Sequence, residues 1–332
     1  MTPDASRTRI ALIGAGTMGS LHARVIAQSP EADLACVVDP HRPAGEALAD
    51  RFRAEWAPEL DDPARFDAIV LAAPTPTHPE WSQRVLEAGV PLLVEKPIAD
   101  DLESTTAVVE AARRRKVPLM CGLLERYNPA VRAAMRIVNE PVHILTVRHS
   151  PYAPRIATGV AHDLLIHDVD LVLRLARRSP GSVDARFAYC HPDSRAGAED
   201  VADVILDFDN GLVASLSVSR VSQRKVRSLV VAEVDRLVEV DMVRQDVTVY
   251  RHVLNAALDG ESDAGYRQQT IIDIPAIHDA REPLATQLEC FLSLVRGEAD
   301  PVEELDTLLP PHQVVDQAQR IATARTPAQI RD

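Results

Sequence analysis

RIALIGAGTMG, at residues 9–19, joins a short apolar run to the glycine pattern G-x-G-x-x-G. The apolar run predicts a buried strand, and the glycines predict a tight turn that leads directly into a helix. Gly14 permits the turn, Gly16 leaves room for a ligand to approach the backbone, and Gly19 allows the helix to pack closely. This stretch therefore predicts the first strand, turn and helix of a parallel α/β domain.

The residues that follow indicate what the turn binds. Thr17 and Met18 begin the predicted helix, whose free N–H groups and positive dipole end favour an anionic group such as a pyrophosphate. A second apolar run, at residues 34–38, ends at Asp39, where a carboxylate can accept hydrogen bonds from the ribose hydroxyls of an adenosine. Glycine-rich turns are common by themselves, but this combination predicts a dinucleotide site.

Asp39 also bears on which dinucleotide is bound. A carboxylate at this position repels the 2′-phosphate of NADP, so we expect NAD. His41 and Arg42 follow closely and leave NADP as the alternative. If the glycine pattern were absent, a solvated position at the end of a strand would explain Asp39 almost as well.

The first third of the chain alternates apolar runs with helical patterns. Further predicted strands are LACVVD at 34–39, AIVLAA at 68–73, PLLVEKP at 91–97 and PLMCG at 118–122. Because strands that alternate with helices form parallel sheets covered on both faces, we expect a doubly wound Rossmann domain over residues 1–122.

From residue 142 onward, strands follow one another with only turns between them. The predicted strands lie at 143–149, 183–190, 201–211, 212–220, 226–235 and 236–243, and Asn210-Gly211 marks a hairpin. We expect an α+β domain over residues 123–332 with a large, mostly antiparallel open sheet. Helices are predicted near 161–177 and 283–296, and a last one near 306–324 is expected to pack back on the first domain.

Composition narrows the classes of function. The 332 residues carry a net charge of −13 at pH 7, which repels nucleic acid and anionic lipid. Residues 1–9 lack an apolar leader pattern and the four cysteines are widely spaced, so we expect a cytoplasmic protein without disulfides or a metal site. An anionic substrate would need arginines to attract it, and Arg126, Arg148 and Arg155 are the candidates.

Two segments carry side chains suited to proton and hydride chemistry. Glu95, Lys96 and Pro97 follow a predicted parallel strand at its carboxyl end, where open α/β sheets bind ligands. Asp163 and His167 lie four residues apart on a predicted helix, with Asp170 one turn further along the same face. An imidazole is suited to proton exchange at neutral pH, and an ammonium group can stabilise an alkoxide.

These motifs resemble the glucose-fructose oxidoreductase, inositol dehydrogenase and MocA family. The resemblance rests on GAGTMG at 14–19, APTPTH at 73–78, AGVPLLVEKPIA at 88–99 and DLLIHDVD at 163–170. It implies an enzyme that transfers hydride between a nicotinamide cofactor and a secondary alcohol. By resemblance, Lys96, Asp163 and His167 line the sugar site, with His167 the general base for oxidation.

The resemblance also implies further cofactor and substrate contacts. Pro74, Thr75, His78, Glu95 and Pro97 would lie along the cofactor.

The segments 125–131 and 154–160 are similar to members acting on nucleotide sugars, notably UDP-N-acetylglucosamine 3-dehydrogenases. Arg126, Tyr127 and Arg155 would then contact the substrate, although exposed or ordered loop positions explain them nearly as well. The alternative function is that of an inositol or other cyclitol dehydrogenase, or of a ketoreductase. A third possible function is that of a catalytically silent NAD(P)-binding sensor.

Several nearby residues have simpler explanations. His162 and Asp168 point away from the Asp163 face, so we expect them to pack or to support their neighbours. Because the predicted strands of the second domain carry apolar residues on both faces, we expect one face to bind a second subunit. The expected assembly is a homodimer or homotetramer formed through this sheet.

Overall fold

The computed structural model describes residues 7–154, 158–256, 266–277 and 281–325. Two units are formed: Met1–Tyr127 with Arg281–Asp316, and Asn128–Ala280 with Gln317–Asp332. The first unit thus continues five residues beyond the expected boundary at Gly122 and takes in a segment that we had assigned to the second domain.

The first unit contains a six-stranded parallel sheet of order β3-β2-β1-β4-β5-β6. Its elements in chain order are β1 (Thr8–Ile13), α1 (Thr17–Gln28), β2 (Ala32–Val38), α2 (Arg42–Phe52), β3 (Glu55–Ala57), β4 (Ala68–Leu71), α3 (His78–Glu87), β5 (Leu92–Val94), α4 (Leu102–Arg115) and β6 (Leu119–Cys121). The predicted Rossmann fold is confirmed. Only the three-residue edge strand β3 was missing from the prediction.

Burial explains why these strands form the centre of the unit. Residues 68–71 and 92–94 are buried throughout, as expected for strands with a helix layer on each face. Because the strands run in parallel, the turns after β1, β4 and β5 open at the same edge of the sheet. This edge carries the glycine turn and the Glu95-Lys96-Pro97 segment.

The second unit begins with α5 (Pro129–Ile137) and contains an eight-stranded sheet of order β14-β13-β12-β11-β7-β10-β9-β8. Its strands are β7 (His143–His149), β8 (Ser182–Ala188), β9 (Val201–Asp207), β10 (Val213–Ser219), β11 (Val226–Ala232), β12 (Leu237–Asp241), β13 (Asp246–Ala256) and β14 (Tyr266–Asp273). Every pairing is antiparallel except β7 with β10. The mostly antiparallel sheet is confirmed, whereas α5, β13 and β14 were not predicted.

The hairpin between β9 and β10 forms at the predicted turn. Gly211 has a φ of +86°, and its N–H donates to the carbonyl of Phe208 over 2.9 Å. Gly211 is the residue of the Asn210-Gly211 pair that takes the left-handed conformation.

One helical segment packs against strands β7 and β10 of the second unit. It starts with a π-helical turn at Ala161–Leu165 and continues as α6 (Ile166–Ala176). Arg148 on β7 and Asp168 on α6 form an ion pair, in which Nε and Nη2 donate to Oδ1 over 2.8 and 2.7 Å. Both residues are 0% exposed, so this buried pair joins the helix to the sheet.

The chain returns to the first unit at α7 (Pro283–Val295), α8 (Pro301–Asp306) and the start of α9 (Leu309–Arg325). Leu284, Leu288, Phe291 and Leu292 form an apolar stripe on α7 and are buried in the same cluster as strand residues such as Leu12. This stripe explains why α7 belongs to the first unit. Within the part of the chain that the structure describes, no helix is long and apolar enough to cross a membrane.

Candidate functional site

The glycine turn after β1 is shaped by close backbone contacts. Gly14 has a φ of +104°, and a Cβ there would lie 2.6 Å from the carbonyl oxygen of Ala72. A Cβ on Gly19 would lie 1.9 Å from the carbonyl oxygen of Gly14. Both positions therefore require glycine for the turn to exist. The two predicted roles, a tight turn and close helix packing, agree with this geometry.

Gly16 is open where the other two glycines are crowded. No atom lies within 4 Å of a Cβ built on it, and its backbone is extended at φ −72° and ψ −164°. It is also the N-cap of α1, so no cap side chain covers the N–H groups of Thr17 and Met18. An uncapped helix start beside open space fits a pyrophosphate group.

Asp39, at the end of β2, faces this turn. Its Oδ2 accepts a hydrogen bond from the Ala15 N–H over 2.7 Å, and its Oδ1 accepts from the His41 N–H over 2.8 Å. The carboxylate is thus held at a fixed position beside the glycine turn. Arg42, the residue that could favour a 2′-phosphate, donates to Glu46 over 2.9 Å.

Glu95 is buried and bonded on the inner side of its loop. Its Oε1 lies 2.7 Å from Nε2 of His22, and its Oε2 accepts from the Lys96 N–H over 3.3 Å. A Cβ on Gly122 would lie 2.6 Å from the same Oε2, so the carboxylate needs the glycine to fit. Glu95 therefore fixes the backbone of Lys96.

Two more buried histidines hold the rest of this loop, which includes a cis Lys96–Pro97 bond. His78 lies 2.9 Å from the carbonyl oxygens of both Pro97 and Ala73, and thereby ties the loop to the turn that carries Pro74 and Thr75. His312 accepts from the Ile98 N–H over 3.5 Å and contacts the Leu308 carbonyl over 2.7 Å. Lys96 thus stands on a loop fixed by several bonds.

Asp163 and His167 lie on the helical segment of the second unit. Asp163 is part of the π-helical turn, in which the Ile166 N–H donates five residues back to the Ala161 carbonyl. Such turns are rare and occur frequently at functional sites. Both Asp163 and His167 are partly exposed, whereas Asp170 is 2% exposed.

The neighbours of this pair have supporting positions. Asp168 is paired with Arg148, as described above, and Nε2 of His162 lies 3.0 Å from Oε1 of Gln319. These contacts agree with the packing or supporting roles that we expected for His162 and Asp168. Arg148 was a candidate for attracting an anion, but complete burial against Asp168 excludes it from an exposed surface.

The structure places Arg126 and Tyr127 in buried positions. The Arg126 side chain is 3% exposed and donates to Glu304 over 3.0 Å and to the Thr307 hydroxyl over 2.9 Å. The Tyr127 hydroxyl donates to the Met120 sulfur over 3.6 Å. These environments favour a structural role over the substrate contact that we expected. Arg155 lies outside the described residues.

Several buried groups escaped the sequence reasoning. His22 follows Gly19 by one helical turn and shares its buried face, which is a signal that the sequence does contain. His312 and Glu199, which is 4% exposed, reach their partners across long stretches of chain, so no local pattern reveals them. Among the described residues, no group of three or more His, Cys, Asp or Glu could hold a metal ion.

The two sets of residues have complementary chemistry. The first unit offers an uncapped helix start, a fixed carboxylate and an ammonium group on a rigid loop. The second unit offers a carboxylate and an imidazole on one partly exposed helical turn. A dinucleotide site together with a base and an electrostatic stabiliser is what hydride transfer from an alcohol requires.

Comparison with known proteins agrees with this chemistry. Residues 8–123 match the family model described as "Oxidoreductase family, NAD-binding Rossmann fold". Residues 133–235 match the "GFO/IDH/MocA C-terminal domain".

Individual relatives extend the match over most of the chain. A UDP-N-acetylglucosamine 3-dehydrogenase from Acidithiobacillus ferrooxidans is 29% identical over 296 residues, which are 86% of this chain and 88% of that protein. Its solved structure has a TM-score of 0.81 at 27% identity and covers 96% of this chain and 98% of its own. An inositol 2-dehydrogenase from Rhizobium meliloti is 31% identical over 226 residues, 64% of this chain and 68% of the relative.

Fold, site and matches together define an oxidoreductase with a nicotinamide cofactor. The chain belongs to the Gfo/Idh/MocA family. It is an NAD-dependent oxidoreductase, and the open space at Gly16, the uncapped start of α1 and the fixed Asp39 carboxylate fit NAD.

Proposed function

We propose that the protein transfers hydride between NAD and a secondary alcohol or ketone of a nucleotide sugar similar to UDP-N-acetylglucosamine. The observation that carries the proposal is the extent of the match. The UDP-N-acetylglucosamine 3-dehydrogenase matches 86% of this chain, whereas the inositol dehydrogenase from Rhizobium meliloti matches 64%.

Each proposed catalytic residue has a separate task. In the oxidative direction, an imidazole nitrogen of His167 takes the proton of the reacting hydroxyl. The Lys96 ammonium donates a hydrogen bond to the same oxygen and stabilises its developing negative charge. The Asp163 carboxylate accepts a hydrogen bond that orients the substrate or the imidazole. NAD, when bound, supplies the hydride acceptor.

The first unit supports this chemistry by holding the cofactor and Lys96. The N–H groups at the start of α1 bind the pyrophosphate, and Asp39 binds the adenosine ribose. The bonds of His22 and Glu95 keep the Lys96 backbone in place, so little has to reorganise during the reaction. Pro74, Thr75, His78 and Pro97 complete the loops that we assign to the cofactor.

The experiment combines a substrate panel with paired histidine variants. The protein is incubated with NAD and a series of nucleotide sugars and cyclitols, and NADH formation is followed by absorbance. His167→Ala should reduce turnover by about 100-fold or more, because general base catalysis is worth roughly 10²–10⁴-fold. His162→Ala is the matched control, since His162 lies on the same helical segment but is bonded to Gln319.

The outcomes separate the candidate functions. Turnover with a nucleotide sugar and its loss in His167→Ala support the proposal. Turnover only with cyclitols would favour an inositol dehydrogenase, which the 31% identical relative also suggests. Tight NAD binding without turnover of any substrate in the panel would contradict both and favour a sensor.

We also propose that a second copy of the chain covers the open face of the eight-stranded sheet, giving a homodimer or homotetramer. Leu145, Ile205 and Val213 on β7, β9 and β10 are 36–45% exposed, although they lie within a sheet. Covering them would remove apolar surface from water. Ile205→Asp should lower the mass measured by light scattering, and a monomeric wild type would contradict the proposal.

A further inference from the structure

Glu199 bonds to the start of the helical segment that carries Asp163 and His167. Its Oε1 accepts a hydrogen bond from the Ala161 N–H over 2.7 Å. Its main-chain carbonyl accepts another from the Val160 N–H over 3.0 Å. One buried residue therefore satisfies two successive N–H groups at the entry to the π-helical turn.

The Glu199 carboxylate also packs against the residue that sets the register of Asp163. A Cβ on Gly159 would lie 2.1 Å from Oε2 of Glu199, so the carboxylate occupies the space of a side chain. The carbonyl of the same Gly159 accepts a hydrogen bond from the Asp163 N–H over 3.1 Å. A shift of Glu199 would therefore change the position of Asp163.

The surroundings of Glu199 show that its charge is costly to bury. Burial raises the pKa of Glu199, and the hydrogen bond from Ala161 and the charge of Arg220 offset only part of this effect. Asp200 adds to the rise. The guanidinium of Arg220 donates to the Thr158 carbonyl, just before Gly159. Two charged residues, Glu199 and Arg220, thus bond to the backbone around Gly159.

We propose that Glu199 is a positioning residue, which fixes the π-helical turn and thereby the orientation of Asp163 and His167. The inference rests on the proposed catalytic roles of Asp163 and His167. It assigns no contact between Glu199 and the substrate. Glutamine keeps an acceptor at the same position, so Glu199→Gln should preserve the turn. Glu199→Ala removes the acceptor and leaves the buried Ala161 N–H without its hydrogen bond.

Glu233 provides a matched control in the same unit. It is 9% exposed, and its Oε1 accepts from the Asn139 N–H over 2.7 Å and from the Glu140 N–H over 2.5 Å. Glu233→Ala therefore also removes a buried carboxylate that accepts from backbone N–H groups. Glu233 lies on the turn after β11, and the two N–H groups that bond to its Oε1 belong to Asn139 and Glu140, which are not part of the Asp163 segment.

The test compares Glu199→Ala, Glu199→Gln and Glu233→Ala by kinetics. Glu199→Ala should lower kcat by about 10- to 100-fold, since a displacement of about 1 Å can cost that much. Its affinity for NAD should stay at the wild-type value, and Glu199→Gln should recover kcat to within roughly threefold. Glu233→Ala should lower thermal stability but not kcat. Equal kcat in Glu199→Ala and Glu233→Ala would overturn the inference.

A second readout does not depend on turnover. The ring signals of isotope-labelled histidine are recorded by NMR without NAD, and His167 is assigned from the His167→Gln spectrum. Glu199→Ala should shift the His167 signals, and Glu233→Ala should not. Unchanged His167 signals would overturn the inference even if the panel yields no substrate. If His167→Ala remains active while Glu199→Ala shifts the signals, the catalytic role proposed for His167 fails, whereas the contact by which Glu199 fixes the π-helical turn is supported.

Discussion

The most informative perturbation of the cofactor site is a pair of single methyl groups, introduced by Gly16→Ala and Gly19→Ala. In Gly16→Ala the new Cβ enters space with no protein atom within 4 Å, at a backbone conformation that alanine adopts readily. The free protein should therefore fold with wild-type stability. The methyl group occupies the side on which we expect the pyrophosphate, so it should act only on NAD binding.

The expected magnitude follows from the hydrogen bonds that the methyl group would disturb. Loss of one bond to a charged group costs about 1.5–3 kcal/mol, which converts to roughly 10- to 150-fold weaker binding of NAD. In Gly19→Ala the Cβ would lie 1.9 Å from the Gly14 carbonyl, so α1 must shift by more than about 1 Å to reach a normal contact. Overpacking of this kind costs about 1–3 kcal/mol of stability, in addition to the loss of affinity.

The assay is a fluorescence titration with NAD and a thermal melt for each variant. Gly16→Ala should weaken NAD binding at an unchanged melting temperature, whereas Gly19→Ala should change both. If Gly16→Ala bound NAD like the wild type, the assignment of this open turn to the pyrophosphate would be refuted. A destabilised Gly16→Ala would instead contradict the described geometry.

Three further predictions concern charged groups. Asp39→Ser removes the carboxylate that accepts from the Ala15 N–H. It should weaken NAD binding by roughly 10-fold and reduce the preference for NAD over NADP. An unchanged ratio of the dissociation constants of NAD and NADP would contradict this prediction. Asp168→Asn breaks the buried ion pair with Arg148 and should lower the free energy of unfolding, measured in urea, by about 3–5 kcal/mol. A loss below about 1 kcal/mol would contradict a stabilising role of this ion pair. Because the pKa of Glu199 is raised in the folded chain, the folded chain binds a proton at a higher pH than the unfolded chain does. The stability of the wild type relative to Glu199→Gln should therefore rise as the pH falls through this pKa, and the gain should be lost as the pH rises through it. A stability difference that is independent of pH would argue against the burial of this charge.

Local pattern was sufficient for most of the fold. The parallel strands are continuous apolar runs, and the helix predicted at 161–177 has a clear amphipathic period. Two of the elements that were missed, β3 and α5, have weaker local signals. β3 is three residues long, and α5 has only nine, although Asn128 as N-cap and Pro129 at the first helical position do mark its start.

The placement of residues 281–316 depended on tertiary packing. The stripe of Leu284, Leu288 and Phe291 predicts an amphipathic helix but not the surface that it covers. A sequence pattern gives the apolar face of an element, whereas the partner of that face is fixed by the whole fold. Domain membership was therefore the part of the organisation that differed from expectation.

For the candidate site, motifs gave residue types and burial decided their roles. The glycine turn and Asp39 could be interpreted locally because strand, turn and helix are consecutive. Arg126 and Arg148 were expected near an anionic substrate because of their charge, but each is buried on an acidic partner. The bond between His22 and Glu95 joins residues 73 positions apart, and such pairs cannot be inferred from one sequence.

The most direct test of the proposed hydride transfer follows a single hydrogen atom. UDP-N-acetylglucosamine carrying deuterium at the carbon to be oxidised is incubated with the protein and NAD, and both products are analysed by mass spectrometry. Hydride transfer from the substrate predicts one deuterium on the reduced cofactor for each ketone formed, and both products should form about 100-fold or more slowly in His167→Ala. Reduced cofactor without deuterium, or NAD binding without reduction by this or any other labelled nucleotide sugar, would contradict it.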